Sequence, residues 1–392
     1  MKDIILLKQG EIVLKGLNRR RFESKLVSNI AHRLRPFGNF RVYSVQSAIY
    51  AEPSENCDVD GAYEAVKTIF GIVSVSRAAA CEKDADKIFM TAKKYLGESL
   101  SKSKSFKVES KRSDKTFPMT SIQLSQYVGG LLADEYPHVR VDVHEPEFIV
   151  TLEVRDYAAY VHGPAEPGAG GMPVGCNGNV VSLLSGGIDS PVSTYMAARR
   201  GVNVIPVHFF SFPYTSELAK EKVVTLSRIL SKWCGKMTLE IVPFTGIQEA
   251  IRDNCPTELF TVIMRRFMMR IAEKLAEANG CKAIITGENL GQVASQTMEA
   301  IGVTQECISM PVLRPVVCLD KRDIVRIAER IGTYETSILP YEDCCTIFTP
   351  KHPRTKPRLA DVLAAESALD TDALVTEALK NTERIIIRGA SK

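Results

Sequence analysis

Six consecutive residues, Ser185-Gly186-Gly187-Ile188-Asp189-Ser190, put two hydroxyls, two glycines and one carboxylate into a turn-sized string. They follow an apolar run, residues 180–184, that reads as a strand, and precede residues 191–200, which read as a helix. A strand, a tight turn and a helix start together make an anion site. The first N–H groups of a helix lack partners, and the helix dipole favours negative charge there. Adjacent glycines let a phosphate approach the backbone closely. Pro191 reads as a first helical residue, where a missing N–H costs nothing. The chain contains no Gly-x-x-x-x-Gly-Lys-Ser/Thr string, so this is not the common phosphate loop. A short turn with hydroxyls, one Asp and no lysine suits a pyrophosphate leaving group better than a transferred γ-phosphate.

Other residues of chemical interest fall at the ends of apolar runs. His208 and Phe209 close the strand-like residues 202–208, where a ring and an imidazole can pack on an adenine or simply cap the core. Arg265 and Arg266 interrupt an otherwise apolar helix, a costly placement unless each is paired or bound to phosphate. Residues 286–297 form a polar loop after a strand and include Gly287, Glu288 and Gln296. Asp320 reads as a helix N-cap, which leaves Lys321 facing outward towards phosphate or solvent. Cys344 and Cys345 precede Lys351, Arg354 and Lys356 in a Pro-rich segment. A thiol in such a basic setting favours the reactive thiolate, and the expectation is an accessible one.

The elements that must position these groups fall into three regions. Residues 1–60 alternate strand-like stretches (4–7, 11–14, 40–45 and 48–51) with one helical stretch over 18–34, an α+β pattern. Residues 61–165 repeat that style, ending in strand-like residues 140–143, 147–154 and 157–162. Residues 166–179 close a Gly- and Pro-rich linker that begins at Gly163; Gly168-x-Gly170 meets Pro173 at the next required position, which rejects a dinucleotide loop. From residue 180 to 392, strands at 180–184, 202–208, 238–242, 283–287 and 308–312 alternate with helices at 191–200, 217–233, 257–279 and 320–331. That alternation predicts an α/β domain, a parallel sheet covered on both faces. Ligands of such sheets bind at the carboxyl ends of the strands, where strand order reverses.

With 392 residues, 45% hydrophobic and 24% charged, the chain reads as a soluble protein of two or three domains. No apolar run reaches the roughly 20 residues of a membrane span, and the first nine residues have too short a core for a signal peptide. Ten cysteines without a Cys-x-x-Cys pair argue against a zinc site and a disulfide framework, so a reducing cytoplasm is expected. The net charge of +4 is small, but residues 101–115 hold six basic and two acidic residues. Lys102, Lys104, Lys107, Lys111, Arg112 and Lys115 are therefore candidate RNA-backbone contacts. Two further basic runs are Lys15 with Arg19-Arg20-Arg21, and residues 351–358.

The 185–190 string resembles the pyrophosphatase loop of enzymes that split ATP into AMP and pyrophosphate to activate an oxygen as its adenylate. With Gly10-Glu11-Ile12-Val13-Leu14-Lys15-Gly16, His208-Phe209, Thr286-Gly287-Glu288, Gln296 and Asp343-Cys344-Cys345, the chain resembles the tRNA 4-thiouridine synthases, the adenylating tRNA sulfurtransferases, nearly end to end. The resemblance implies an N-terminal ferredoxin-like domain, a THUMP RNA-binding domain and a PP-loop ATP pyrophosphatase domain. It implies ATP lined by Leu183, Leu184, Ser185, Gly186, Gly187, Asp189, Ser190, His208, Phe209, Arg265, Gly287 and Gln296, and Mg²⁺ or phosphate held by Asp189. Lys321 is then expected to stabilise developing charge. Uridine 8 of tRNA is the implied acceptor, and Cys344 or Cys345, with Cys344 preferred, the persulfide carrier. Some members of that family add a rhodanese-like domain, for which this chain has no room after its last helix and strand. A cysteine desulfurase is then expected to load the PP-loop domain directly, and the family's link to thiamine thiazole synthesis is weaker here. A homodimer is expected, so that one tRNA is gripped at two points. Two other readings are an amidotransferase or lysidine-type ligase of the same loop class, and an RNA-binding module with a vestigial ATP site. The former lacks support because no glutaminase segment is visible, the latter because Asp189 and Ser190 are intact.

Overall fold

Strand β1 (Lys2–Gln9) buries Ile4 and Leu6 on one face and Ile5 and Leu7 on the other, which places it inside a sheet rather than at its edge. In the computed structural model, which describes residues 2–45, 48–344, 347–348 and 350–388, the chain divides into two units between Pro173 and Val174. The first unit contains one nine-stranded sheet. In it β2 (Phe40–Val45) pairs with β3 (Ala48–Pro53), β3 with β1, and β1 with β4 (Ile72–Cys81), all antiparallel. Helices α1 (Arg19–Leu34) and α2 (Val59–Val66) cover one face, where Leu26, Ile30 and Val66 pack on Ile5, Leu7 and Ile49.

Residues 11–14, expected as a strand, form a single 3-10 turn instead. Ile12 alone of that stretch is buried, and the Lys15 N–H closes back on the Ile12 carbonyl, so the short alternation never meets a partner strand. Helix α2 runs across residue 60, where the first region was expected to end, and β4 pairs with β1 across that position. The same sheet continues through β8 (Ala159–His162) and β7 (Phe148–Val154) to β5 (Ser105–Arg112) and the short β6 (Arg140–Val141). A two-residue strand, β9 (Glu166–Pro167), pairs with β4. Helices α3 (Ala85–Ser101) and α4 (Ser121–Glu135) bury their apolar faces against β5, β7 and β8. Helix α4 starts on a capping box, in which Thr120 and Gln123 satisfy each other's N–H groups.

The second unit is built on a six-stranded sheet in the order β14, β13, β10, β11, β12, β15. Strands β10 (Asn179–Leu183), β11 (Asn203–Phe210), β12 (Met237–Pro243), β13 (Ile284–Ile285) and β14 (Val312–Leu313) are parallel, as the alternation predicts. The edge strand β15 (Glu383–Ile387) is antiparallel to β12. Side chains alternate along β10: Ser182 faces helix α5 (Asp189–Ala198), while Val181 joins the core under α7 (Thr245–Asn254) and α8 (Phe260–Ala278). Helix α6 (Glu217–Cys234) packs with α5. Helices α9 (Met298–Glu306), α10 (Lys321–Ile331), α11 (Tyr334–Ser337), α12 (Leu359–Glu366) and α13 (Thr371–Lys380) complete the unit. Strand order reverses at β10, with β11 on one side and β13 on the other. The turn 185–190 leaves the carboxyl end of β10, at the switch point where open α/β sheets bind ligands.

Candidate active site

The turn is held by its own hydroxyls. The Ser190 hydroxyl accepts from the Ser185 N–H at 2.9 Å and meets the Ser185 hydroxyl at 3.1 Å. Helix α5 starts at Asp189, so Pro191 is its third residue rather than the expected first. It remains in the first turn, where N–H groups have no intrahelical acceptor. The Gly186 N–H donates to Asp343 Oδ1 at 2.9 Å, and a Cβ on Gly186 would sit 3.1 Å from the Lys222 side chain. Gly287, after β13, packs on the same turn so closely that a Cβ would stand 2.8 Å from the Ser190 nitrogen. Neither position accommodates a larger residue without moving its neighbours.

A cavity of about 430 Å³ opens beside the turn. Of the residues expected around a nucleotide, Leu183, Leu184, Ser185, Gly187, Asp189, Ser190, His208, Phe209, Arg265, Gly287 and Gln296 all line it. Gly186 does not; its N–H is turned to Asp343. Thr261, Met264, Met268 and Met269 of α8 supply an apolar wall that the sequence reading missed, because a buried helix face carries no chemical signature. Thr261 Oγ1 is buried there with no hydrogen-bond partner among the described residues. Lys321 lies outside the lining but reaches Asp189 Oδ1 at 2.6 Å, and Gln292 donates to Asp189 Oδ2 at 2.8 Å. Asp320 does occupy the N-cap of α10, but its side chain makes no capping hydrogen bond.

The two arginines of α8 divide their work. Arg265 pairs with Glu288 and donates to Ser295 at the cavity wall. Arg266, 1% exposed, is buried on Glu366 at 2.9 Å and also reaches Glu306 and the Val303 carbonyl. Burial pushes the Glu288 carboxyl up, but Arg265 and Arg314 more than offset it and hold it below the usual carboxylate range. Burial holds the His208 imidazole below its ordinary pKa, against the opposing pull of Asp343, and its Nδ1 lies 3.1 Å from the Leu184 carbonyl. Burial likewise lowers Lys222, again opposed by Asp343. One carboxylate thus faces a loop N–H, a buried imidazole and a buried lysine.

Cys344 lines the cavity but is only 5% exposed, not the accessible thiol expected from the basic, Pro-rich sequence around it. Its carbonyl accepts from Gln248 of α7 at 2.8 Å, which draws the residue into the core beneath α8. Cys345 lies outside the described residues. The candidate RNA contacts lie in the first unit. Lys104, Lys111 and Lys115 are exposed; Lys102 pairs with Glu98 and Lys107 with Glu109. Arg112 instead donates to the carbonyls of Phe117 and Met119 and ties down the loop after β5.

The family model Thiamine biosynthesis protein (ThiI) matches residues 175–371, the half of the chain that holds this cavity. A ThiI ferredoxin-like domain matches residues 4–76 and a THUMP domain residues 82–162. A Probable tRNA sulfurtransferase of Acetivibrio thermocellus is 48% identical over 390 residues, covering 99% of both chains. The chain belongs to the ThiI family of tRNA sulfurtransferases. A second ThiI relative, a Probable tRNA sulfurtransferase of Caldanaerobacter subterraneus subsp. tengcongensis, is 50% identical over 374 residues, 94% of this chain and 96% of its own. A solved 4-thiouridine synthetase–RNA complex with bound ATP superposes with a TM-score of 0.90 at 34% identity, covering 99% of this chain and 100% of that one. Three ThiI features expected from the sequence are therefore present: the ferredoxin-like and THUMP domains and the parallel PP-loop sheet. Among the described residues no helix is long and apolar enough to cross a membrane.

Proposed function

We propose that the chain uses ATP to adenylate uridine 8 of tRNA and replaces the activated 4-oxygen with persulfide sulfur, giving 4-thiouridine. One observation carries this reading: a turn suited to phosphate and Cys344 line the same cavity. The apolar wall of α8 with Phe209 and Leu183 suits an adenine, and the turn with Ser185, Gly187 and the start of α5 suits the phosphates. Uridine O4 attacks the α-phosphate and pyrophosphate leaves. Lys321, held on Asp189, and Arg265 offset the charge that develops as the bond to pyrophosphate breaks. Among the described residues no cluster of three or more metal-ligating side chains occurs, but Mg²⁺ is commonly held by one carboxylate together with substrate phosphates. Asp189 fits that part, and the ion would neutralise the phosphates.

The terminal sulfur of a Cys344 persulfide then attacks C4, and AMP leaves with the former O4. A second thiol, Cys345 or a more distant one, attacks the Cys344 sulfur, releases 4-thiouridine and leaves an enzyme disulfide for a cellular dithiol to reduce. A cysteine desulfurase supplies the persulfide, and a homodimer in the cytoplasm is the working form. Pyrophosphate release from ATP that depends on unmodified tRNA tests the first half. Full thiolation by Asp189→Ala would overturn it. Mass spectrometry after desulfurase treatment tests the second half, which fails if neither Cys344 nor Cys345 gains sulfur.

A further inference from the structure

Cys344 is almost fully buried, yet a sulfur donor must reach it. Hydrogen bonds to three other elements help hold the segment from Leu339 to Cys344. Lys222 donates to the Leu339 carbonyl at 2.8 Å, Gln248 to the Cys344 carbonyl at 2.8 Å, and Gly186 to Asp343 Oδ1 at 2.9 Å. The first two come from side chains that do not line the cavity. The third uses a backbone N–H of the turn at which the proposed function places the phosphates. A carboxylate there imitates an anionic ligand, charge and acceptor oxygen together.

We infer that Asp343 is a positioning residue that competes with the pyrophosphate portion of ATP for the Gly186 N–H. In doing so it couples nucleotide occupancy to exposure of Cys344. This rests on the nucleotide reading of the turn. In the structure Asp343 holds the Cys344 segment against the turn, beside the Lys222 and His208 side chains. When phosphate oxygens take the Gly186 N–H, the Asp343 carboxylate is displaced and repelled by like charge. Cys344, one residue on, leaves its buried seat. The order of events follows: ATP binds first, and the sulfur-bearing thiol is released only into a loaded site. Because coupling is reciprocal, Asp343 must also weaken nucleotide binding by the factor by which nucleotide exposes Cys344.

The test follows alkylation of Cys344 by iodoacetamide, resolved from Cys345 by peptide fragmentation, with and without a non-hydrolysable α,β-methylene ATP analogue. Analogue affinity is measured by calorimetry on the same samples. In the wild-type protein the analogue should speed labelling of Cys344 by about fivefold or more, the lower end of ordinary coupling. Asp343→Ala should label rapidly without analogue and bind it more tightly by a similar factor. Asp343→Asn, which keeps an acceptor oxygen without the charge, should fall between and serves alone if the alanine variant does not fold. A purely structural role predicts faster labelling with unchanged or weaker nucleotide binding, and that result overturns the inference. An analogue that binds the wild type without changing Cys344 labelling also overturns it, and leaves the nucleotide reading standing. An analogue that does not bind at all defeats both.

Discussion

Asp189 receives Lys321 on one carboxylate oxygen and Gln292 on the other. Its carboxylate therefore sits between two donors beside the turn. Replacing the residue with alanine should lower tRNA-dependent pyrophosphate release by roughly a hundredfold or more, the scale of losing one transition-state donor, here the Lys321 ammonium that Asp189 positions. The substitution leaves a solvated lysine, so thermal melting should change little. Gly287→Ala behaves differently. Its Cβ would stand 2.8 Å from the Ser190 nitrogen, so backbone must move. A loss of about 1–3 kcal/mol in denaturant stability is expected, together with weaker ATP binding; unchanged values would show that the turn and the loop after β13 are not held against each other. Both residues were legible in sequence as parts of motifs. Their contacts were not: Gln292 reaches Asp189, and Ser190 backs Gly287, across about a hundred residues of chain, and no local spacing announces such pairs.

Among the elements, α8 is the one that sequence reading described least well. Its arginines pointed to phosphate or to paired carboxylates, and the fold pairs both with carboxylates: Arg265 with Glu288 at the cavity wall and Arg266 with Glu366 in the core. Arg266 is locked on Glu366 of α12, with Glu306 and the Val303 carbonyl completing its donors. Arg266→Ala leaves the Glu366 carboxylate buried against Arg270 alone. It should cost about 3–5 kcal/mol of stability in a denaturant titration, since a large buried side chain leaves a cavity and the carboxylate loses one of its two arginines. Strand β5 offers a second contrast. Lys111 is exposed, while Arg112 holds the carbonyls of Phe117 and Met119. Lys111→Ala should weaken tRNA binding and reduce its salt dependence by about one counterion, with stability unchanged. Arg112→Ala should lower stability first. Equal effects of the two on RNA binding, with no difference in melting, would refute this division. Sequence placed both residues in one basic cluster because charge counts do not distinguish a solvated head from one tied to the backbone.

At the scale of the whole molecule, each unit has its own sheet and core, and the first is also a charge-buried structure. Glu153 of β7 is fully buried and contacts Lys8, Arg155 and His162. Burial alone would raise its carboxyl, but His162, Lys8 and Arg155 together hold it well below the usual carboxylate range. A group whose folded pKa is depressed adds stability above its unfolded pKa and loses it as pH falls towards the folded value. The first unit should therefore lose stability progressively below about pH 4.3, the ordinary glutamate pKa. Glu153→Gln should flatten that acid limb and lower stability at neutral pH; an unchanged acid limb in the variant would show that Glu153 does not set it.

The sequence by itself determined the class of chemistry and the order of domains. Both are written in contiguous residues: a turn between a strand and a helix, an alternation of periods, a glycine-rich stretch between two styles of folding. These are local properties, readable because backbone geometry and hydrophobic period depend on near neighbours. Tertiary structure alone decided what surrounds the chemistry. It buried Cys344, which sequence placed in the open, and put the Asp343 carboxylate on the Gly186 N–H, 157 residues away in the chain. It turned Arg112 to the backbone and Arg266 to Glu366. Such contacts depend on which distant segments the sheet order brings to the end of β10, and that order is a property of the packed chain.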